Sequence, residues 1–207
     1  MSRMIAEASG KQLTGLSQSQ IFELVCSLIL RAKKEDMLAL AALLGEAIPE
    51  LAPLIGFDQR SPHHAYDLYT HVAHVVAGVP KELTLRWAAL LHDIGKIPTF
   101  TRDETGRGHF YGHAPAGAEM ADQILRRMKA PDALRQRTVF LIANHMRKLE
   151  PESLAGELEK YGPEALEQLL FLQEADMSSK GMGELPEMAQ FAILRKELTR
   201  LREEETQ

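Results

Sequence analysis

Six residues of this chain carry side chains suited to metal or acid–base chemistry: His71, His92, Asp93, His113, His145 and Asp176. Their neighbours place them on the inner sides of the segments that hold them. Asp176 lies in helical register with Leu169 and Leu172, which puts a carboxylate on an apolar face. Burying such a group without a partner costs on the order of several kcal/mol. His145 follows Leu141 and Ile142 by four and three residues, and His71 shares a face with Leu68 and Val75. His92 follows Leu85, Ala88 and Ala89, and His113 opens a helix after a glycine. One inward histidine is most often a hydrogen-bonded core residue. Repeated burial of unrelated polar groups is costly, whereas one shared metal accounts for the whole set. Imidazoles and carboxylates without thiolates suit Mn, Fe, Co, Ni or Zn, with Mg also possible, as one or two divalent ions. Adjacent helical residues point about 100° apart. His92 and Asp93 therefore reach one ion only at a helix end, unless Asp93 bridges two.

The elements that must position these residues are helical. Period-3.6 patterning is nearly continuous and strand alternation nearly missing, which makes the class all-α. Helices are predicted over Ser19–Arg31, Glu35–Ile48, Tyr66–Ala77, Lys81–His92, Ala114–Lys129, Ala133–Met146 (with Asp132 as N-cap), Ser153–Tyr161 and Pro163–Met177. A terminal helix begins at Pro186. Residues 99–112, TFTRDETGRGHFYG, read as a long polar loop. The predicted organisation is one globular unit: a helical extension over 1–62, a metal-binding helical bundle over 63–180, and a C-terminal helix over 181–207 packing on it. His74 is expected to pair with Asp67 or a backbone carbonyl.

Composition narrows the class further. The net charge of −5 argues against wrapping nucleic acid by charge alone. The single cysteine, Cys26, rules out an internal disulfide and a thiolate zinc site. No apolar run reaches membrane-spanning length, and the first twenty residues lack the apolar core of a signal peptide. The chain reads as a soluble, cytoplasmic protein without a membrane partner.

The spacing His71 … His92-Asp93 … Asp176, with the segment AALLHDIGK, resembles the HD-domain metal-dependent phosphohydrolases. The stretches GFDQRSPHHAYDLYTHVAHVV, LTLRWAALLHDIGK, GRGHFYGHAPAGAEMA and NHM are similar to the HD region of bacterial CCA-adding tRNA nucleotidyltransferases. That similarity covers roughly residues 45–180. Nothing resembles the polymerase head of those enzymes, so a stand-alone HD-domain helical bundle is expected and nucleotide addition is not carried over. Alarmone hydrolases should show acidic residues soon after the HD pair. Cyclic dinucleotide phosphodiesterases should show a paired His and a Gly-Tyr-Pro segment where this chain has ANHMRKLEP.

The resemblance implies a first metal site of His71, His92, Asp93 and Asp176, with His113 and His145 as further ligands in two-metal members. It implies metal-assisted hydrolysis of a phosphoester, in which activated water attacks phosphorus in line. The substrate class it implies is a nucleotide, as phosphomonoester or phosphodiester, including 2′,3′-cyclic ends. Lys96 is a candidate to meet the substrate phosphate, or else a solvated helix end. Arg107, His109 and Tyr111 in the 101–112 loop are candidate substrate contacts, with Arg60, His63 and His64 on the opposite rim. A second reading is a non-catalytic tRNA-, RNA- or partner-binding module that retains a structural metal, and a third is a ligand sensor built on an inactive site.

Overall fold

A computed structural model describes residues 13–61, 65–181 and 188–205. Among these residues, eleven α-helices and one two-stranded hairpin make an all-α bundle. The N-terminal layer holds α1 (Gln18–Arg31), α2 (Lys34–Ala39), α3 (Ala41–Ala47) and a 3₁₀ turn over Pro49–Leu54. The centre holds α4 (Leu68–Gly78), α5 (Leu83–Leu91) and the short α6 (Lys96–Thr99). The hairpin β1 (Thr101–Arg102) and β2 (Gly108–His109) leads into α7 (His113–Arg127) and α8 (Asp132–Asn144). A 3₁₀ turn over Pro151–Ser153, α9 (Leu154–Tyr161), α10 (Pro163–Ser178) and α11 (Met188–Glu205) complete the chain.

Helix α5 is the axis of the bundle. Its sequence LTLRWAALL is apolar almost all round, so it has no face suited to water. Every residue from Leu85 to Leu91 is buried, against α1, α4, α8 and α10. The one charge among them, Arg86, donates to Ala32 O at the C-terminal end of α1 and to Pro80 O, where a cation also meets the negative end of a helix dipole. Trp87 stacks on Phe22, with ring centroids 5.4 Å apart. Its indole N–H donates to Cys26 Sγ at 3.2 Å, so Cys26 is a buried packing residue. Tyr69 donates its hydroxyl to Met37 O at 2.8 Å and ties α4 to α2.

The structure departs from the sequence expectations in four places. The helix expected over Glu35–Ile48 is two helices, breaking at Leu40 (φ −86°, ψ −2°). Leu40 and Leu44 are both fully buried, so core packing overrides the local helical pattern there. The loop expected over 99–112 contains the β1–β2 hairpin, paired Thr101↔His109 and Arg102↔Gly108. Its turn is set by Asp103, whose Oδ1 accepts from the N–H groups of Thr105 and Arg107, an Asx arrangement that closes a reversal locally. Asp132 is not the N-cap of α8. Pro131 occupies that position, and the Asp132 carboxylate accepts from the Arg135 guanidinium at 2.8 Å. His74 packs against Tyr66, with ring centroids 4.5 Å apart and the planes tilted by 36°, while Asp67 is engaged in capping α4 through the N–H groups of Tyr69 and Thr70. Pro186, His63 and His64 lie outside the described residues.

Helix α11 packs on α9 and α10. Phe191, Leu194 and Leu198 are buried, and Arg195 pairs with Glu174 across the contact. No described helix is long and apolar enough to cross a membrane.

Candidate metal centre

Five segments deliver the six candidate residues to one buried spot. His71 comes from the first turn of α4. His92 is the C-cap of α5, and Asp93 follows it at the corner before α6. His113 is the first residue of α7, His145 the C-cap of α8, and Asp176 sits in the last turn of α10. All six are buried. Helix ends suit this purpose because the chain turns away there and leaves the terminal side chains to converge.

The donor atoms fall into two groups that share Asp93. In the first, His71 Nε2 lies 3.3 Å from His92 Nε2 and 3.0 Å from Asp176 Oδ1. Asp93 Oδ2 faces this group, 3.2 Å from His92 Nε2 and 3.5 Å from His71 Nε2. In the second, His113 Nε2 lies 3.1 Å from His145 Nε2. Asp93 Oδ1 faces that pair at 3.5 and 3.9 Å. Donors held about 2.0–2.2 Å from one ion sit roughly 3.0–3.5 Å apart across a coordination edge. Within the trios His71, His92 and Asp176, and Asp93, His113 and His145, four of the six spacings match that requirement; His92–Asp176 at 3.8 Å and His145–Asp93 at 3.9 Å are slightly longer, and each trio stays within reach of one ion.

The second ring nitrogens decide the tautomers. His71 Nδ1 faces Ser179 O at 3.2 Å, His92 Nδ1 faces Ala89 O at 2.8 Å, His113 Nδ1 faces Phe110 O at 2.9 Å and His145 Nδ1 faces Ile142 O at 2.7 Å. A backbone carbonyl can only accept, so each Nδ1 carries the proton and donates. In the neutral ring, Nε2 is then an unprotonated lone pair. Four such lone pairs and two carboxylates point at one another, an arrangement that repels itself unless cations lie between them. Nδ1–H donated to a carbonyl is also the usual outer support of a metal-ligating histidine. The residues present therefore fit one or two divalent ions.

The electrostatics point the same way. Burial pushes the His145 imidazole down to about 4, and burial likewise lowers His113, so both are neutral near pH 7. Burial opposes ionisation of Asp93, but His92 and Lys96 outweigh it and hold the carboxyl well below its usual range. Burial also works against Asp176, and His71 outweighs it. At His92 burial favours the neutral ring, but Asp93 and Asp176 raise it above its ordinary value. The protein's own charges thus attract a cation to this spot.

Lys96 is not a solvated helix end. It is 6% exposed, with Nζ 2.8 Å from Asp93 Oδ2 and donating to Gln59 Oε1 at 2.9 Å. Gln59 was not singled out from sequence. It sits in the polar DQRSP connection, and its contact with Lys96 spans 37 residues of chain. Gln173 was missed too. Its buried amide donates to His145 O at 3.1 Å and Arg147 O at 2.7 Å, fixing the chain just beyond His145. The only sequence signal was a glutamine on the inner face of α10, three residues before Asp176.

Of the remaining candidates, Arg107 and His109 lie on the hairpin and Tyr111 just after it, whereas Arg60 runs beside β2 and not on an opposite rim. Arg60 O accepts from Gly108 N–H at 3.0 Å, which joins Arg60 to β2. Arg107 is exposed. His109 is tied to Asp103 at 2.7 Å and stacks on Tyr111, which is 80% exposed, with the rings 9° from parallel.

A buried two-group cluster of histidines and aspartates, centred on a His-Asp pair at a helix end within an all-α bundle, defines the class. The HD domain family model matches residues 59–180, and the chain belongs to that family, whose members are generally metal-dependent hydrolases. It is 36% identical over 159 residues to an A-adding tRNA nucleotidyltransferase of Deinococcus radiodurans, a match spanning 73% of this chain and 36% of that protein. It is 36% identical over 155 residues to a CC-adding tRNA nucleotidyltransferase of Thermus thermophilus, covering 70% of this chain and 35% of that protein. A multifunctional CCA protein of Aromatoleum aromaticum is 34% identical over 157 residues, covering 69% and 38%. The chain spans about a third of the length of these relatives.

Proposed function

We propose that this chain is a metal-dependent phosphohydrolase acting on a small phosphoester, a nucleotide or 2′,3′-cyclic phosphate. The observation that carries the reading is the convergence of four histidine Nε2 atoms, each with its Nδ1 proton committed to a backbone carbonyl, around the two oxygens of Asp93. In this reading His71, His92 and Asp176 hold one ion with Asp93 Oδ2. His113 and His145 hold a second with Asp93 Oδ1. Ions bound there supply a water that ionises near neutral pH and polarise a phosphoryl oxygen. Lys96 keeps Asp93 ionised and oriented, and Gln59 positions Lys96. Arg60, Arg107, His109 and Tyr111 contact the substrate from the hairpin rim, where the stacked Tyr111–His109 pair presents an aromatic face to solvent.

A second reading, a non-catalytic RNA-binding module with a structural metal, is favoured by the tRNA enzymes among the relatives and by that exposed aromatic pair. One assay separates the two. The protein is stripped with a chelator, reloaded separately with Mn, Fe, Co, Ni, Zn or Mg, and given p-nitrophenyl phosphate or its bis diester. The hydrolase reading expects turnover of at least one ester with at least one metal. No turnover with any metal, together with retained tRNA binding, would establish the module instead.

A further inference from the structure

Beside the metal-competent residues lies a cavity of about 240 Å³. His145 and Asp176, one residue from each donor group, form part of its wall. The rest of the wall is mainly apolar: Met146, Leu149, Met177, Phe191 and Leu194. Phe191 and Leu194 come from α11 and lie beyond the 59–180 span matched by the family model. Helix α11 therefore adds a wall that the family match does not cover.

We propose that this cavity holds the nucleobase of a mononucleotide whose phosphate sits at the metal centre, and that α11 sets this preference. The inference rests on the hydrolase reading above. Size comes first: drug-sized ligands occupy roughly 300–1,000 Å³, so 240 Å³ takes a single small ring system and not a run of stacked bases. Lining is the second argument. Met146 and Met177 supply polarisable sulfurs and Phe191 an aromatic ring, all of which favour flat π-systems. Met146 is 60% exposed at this wall, where a ring would cover it. Charge is the third. Lys180 also lines the cavity, and among the described residues its ammonium meets the Met177 sulfur at 3.6 Å and no carboxylate, so it remains able to draw an anionic ligand inward. Arg147 and Lys148, at the same mouth, are paired with Glu157 and Glu150. The amide of Gln173 is spent on backbone carbonyls. Gln190, the other amide of the wall, spends its N–H groups on Leu149 O and Glu150, so the lining grips a ring mainly by its faces, and purine and pyrimidine are both accepted.

The test uses the metal-loaded full chain and three competitors of p-nitrophenyl ester hydrolysis that share one phosphate and one sugar: ribose 5-phosphate, CMP and AMP. CMP and AMP are expected to compete about tenfold or more better than ribose 5-phosphate, the scale of one base-stacking contact. The same ranking is expected in the ligand-induced rise in Tm, which needs no turnover. Met146→Ala, a change at an exposed side chain, is expected to cut the nucleotide advantage about threefold and to leave ribose 5-phosphate unchanged. If the esters are hydrolysed but all three competitors bind equally, the cavity assignment is overturned and the hydrolase reading stands. If no ester is hydrolysed and none of the three raises Tm, both fall.

Discussion

Asp93→Asn is expected to lower phosphoester hydrolysis by about 10³-fold or more, the loss of several kcal/mol of charge stabilisation at the reacting phosphate. Asp93 is the one residue whose two oxygens face different donor groups, Oδ2 toward His71 and His92 and Oδ1 toward His113 and His145. An amide replaces one anionic oxygen with an N–H donor, so one group must meet a proton where a cation should sit. The amide also removes the counter-charge of Lys96, which is nearly fully buried. Breaking a buried ion pair from one side costs roughly 3–5 kcal/mol, lessened here because Gln59 still accepts from the ammonium. Thermal melts with and without added metal check the assignment. Wild type should gain Tm on metal addition through ligand linkage, and Asp93→Asn should gain much less. An equal gain in both proteins would remove Asp93 from the metal centre.

Gly95→Ala is expected to be the most destabilising single-methyl change in the site region, costing more than about 4 kcal/mol. The reason is contact, since Gly95 has an ordinary φ of −67°. A Cβ at this position would stand 2.1 Å from His113 O and 2.5 Å from Gly117 N. Both obstacles are backbone atoms of α7, so relief requires moving the helix whose first residue is His113. Stability and metal binding should therefore fall together. Gly117→Ala is the milder comparison, with its nearest contacts at 3.3 and 3.4 Å. Urea titration measures both. A Gly95→Ala protein within about 0.5 kcal/mol of wild type would show that the start of α6 and α7 do not approach this closely. The contact also gives a structural reason for glycine in the HDIGK segment.

Much of the bundle was legible because its helices are strongly patterned. The largely apolar LTLRWAALL is the pattern of a buried helix, and Asp176 in register with Leu169 and Leu172 announced a carboxylate turned inward. Local pattern could not report what depends on distant chain. The Lys96–Gln59 contact joins a helix end to a connection with no periodicity. The four carbonyls that receive the Nδ1 protons depend on how the chain turns around each histidine. The break at Leu40 follows from packing, because both halves remain apolar. The β1–β2 hairpin has strands of two residues, too short for alternation to show, although the Asp103-Glu104-Thr105-Gly106 turn was there to be read. The wall that α11 contributes to the cavity was hidden for the same reason: Phe191 and Leu194 look like ordinary core positions until their neighbours across the helix contact are known.

Elemental analysis of the protein as purified tests the central claim most directly, with Asp93→Ala and His145→Ala measured beside the wild type. The account predicts one or two equivalents of Mn, Fe, Co, Ni or Zn per wild-type chain, loss of metal in Asp93→Ala, and at most one ion in His145→Ala, held by His71, His92, Asp93 and Asp176. A wild-type protein that carries no metal, binds none when it is supplied and gains no stability from it would contradict the account.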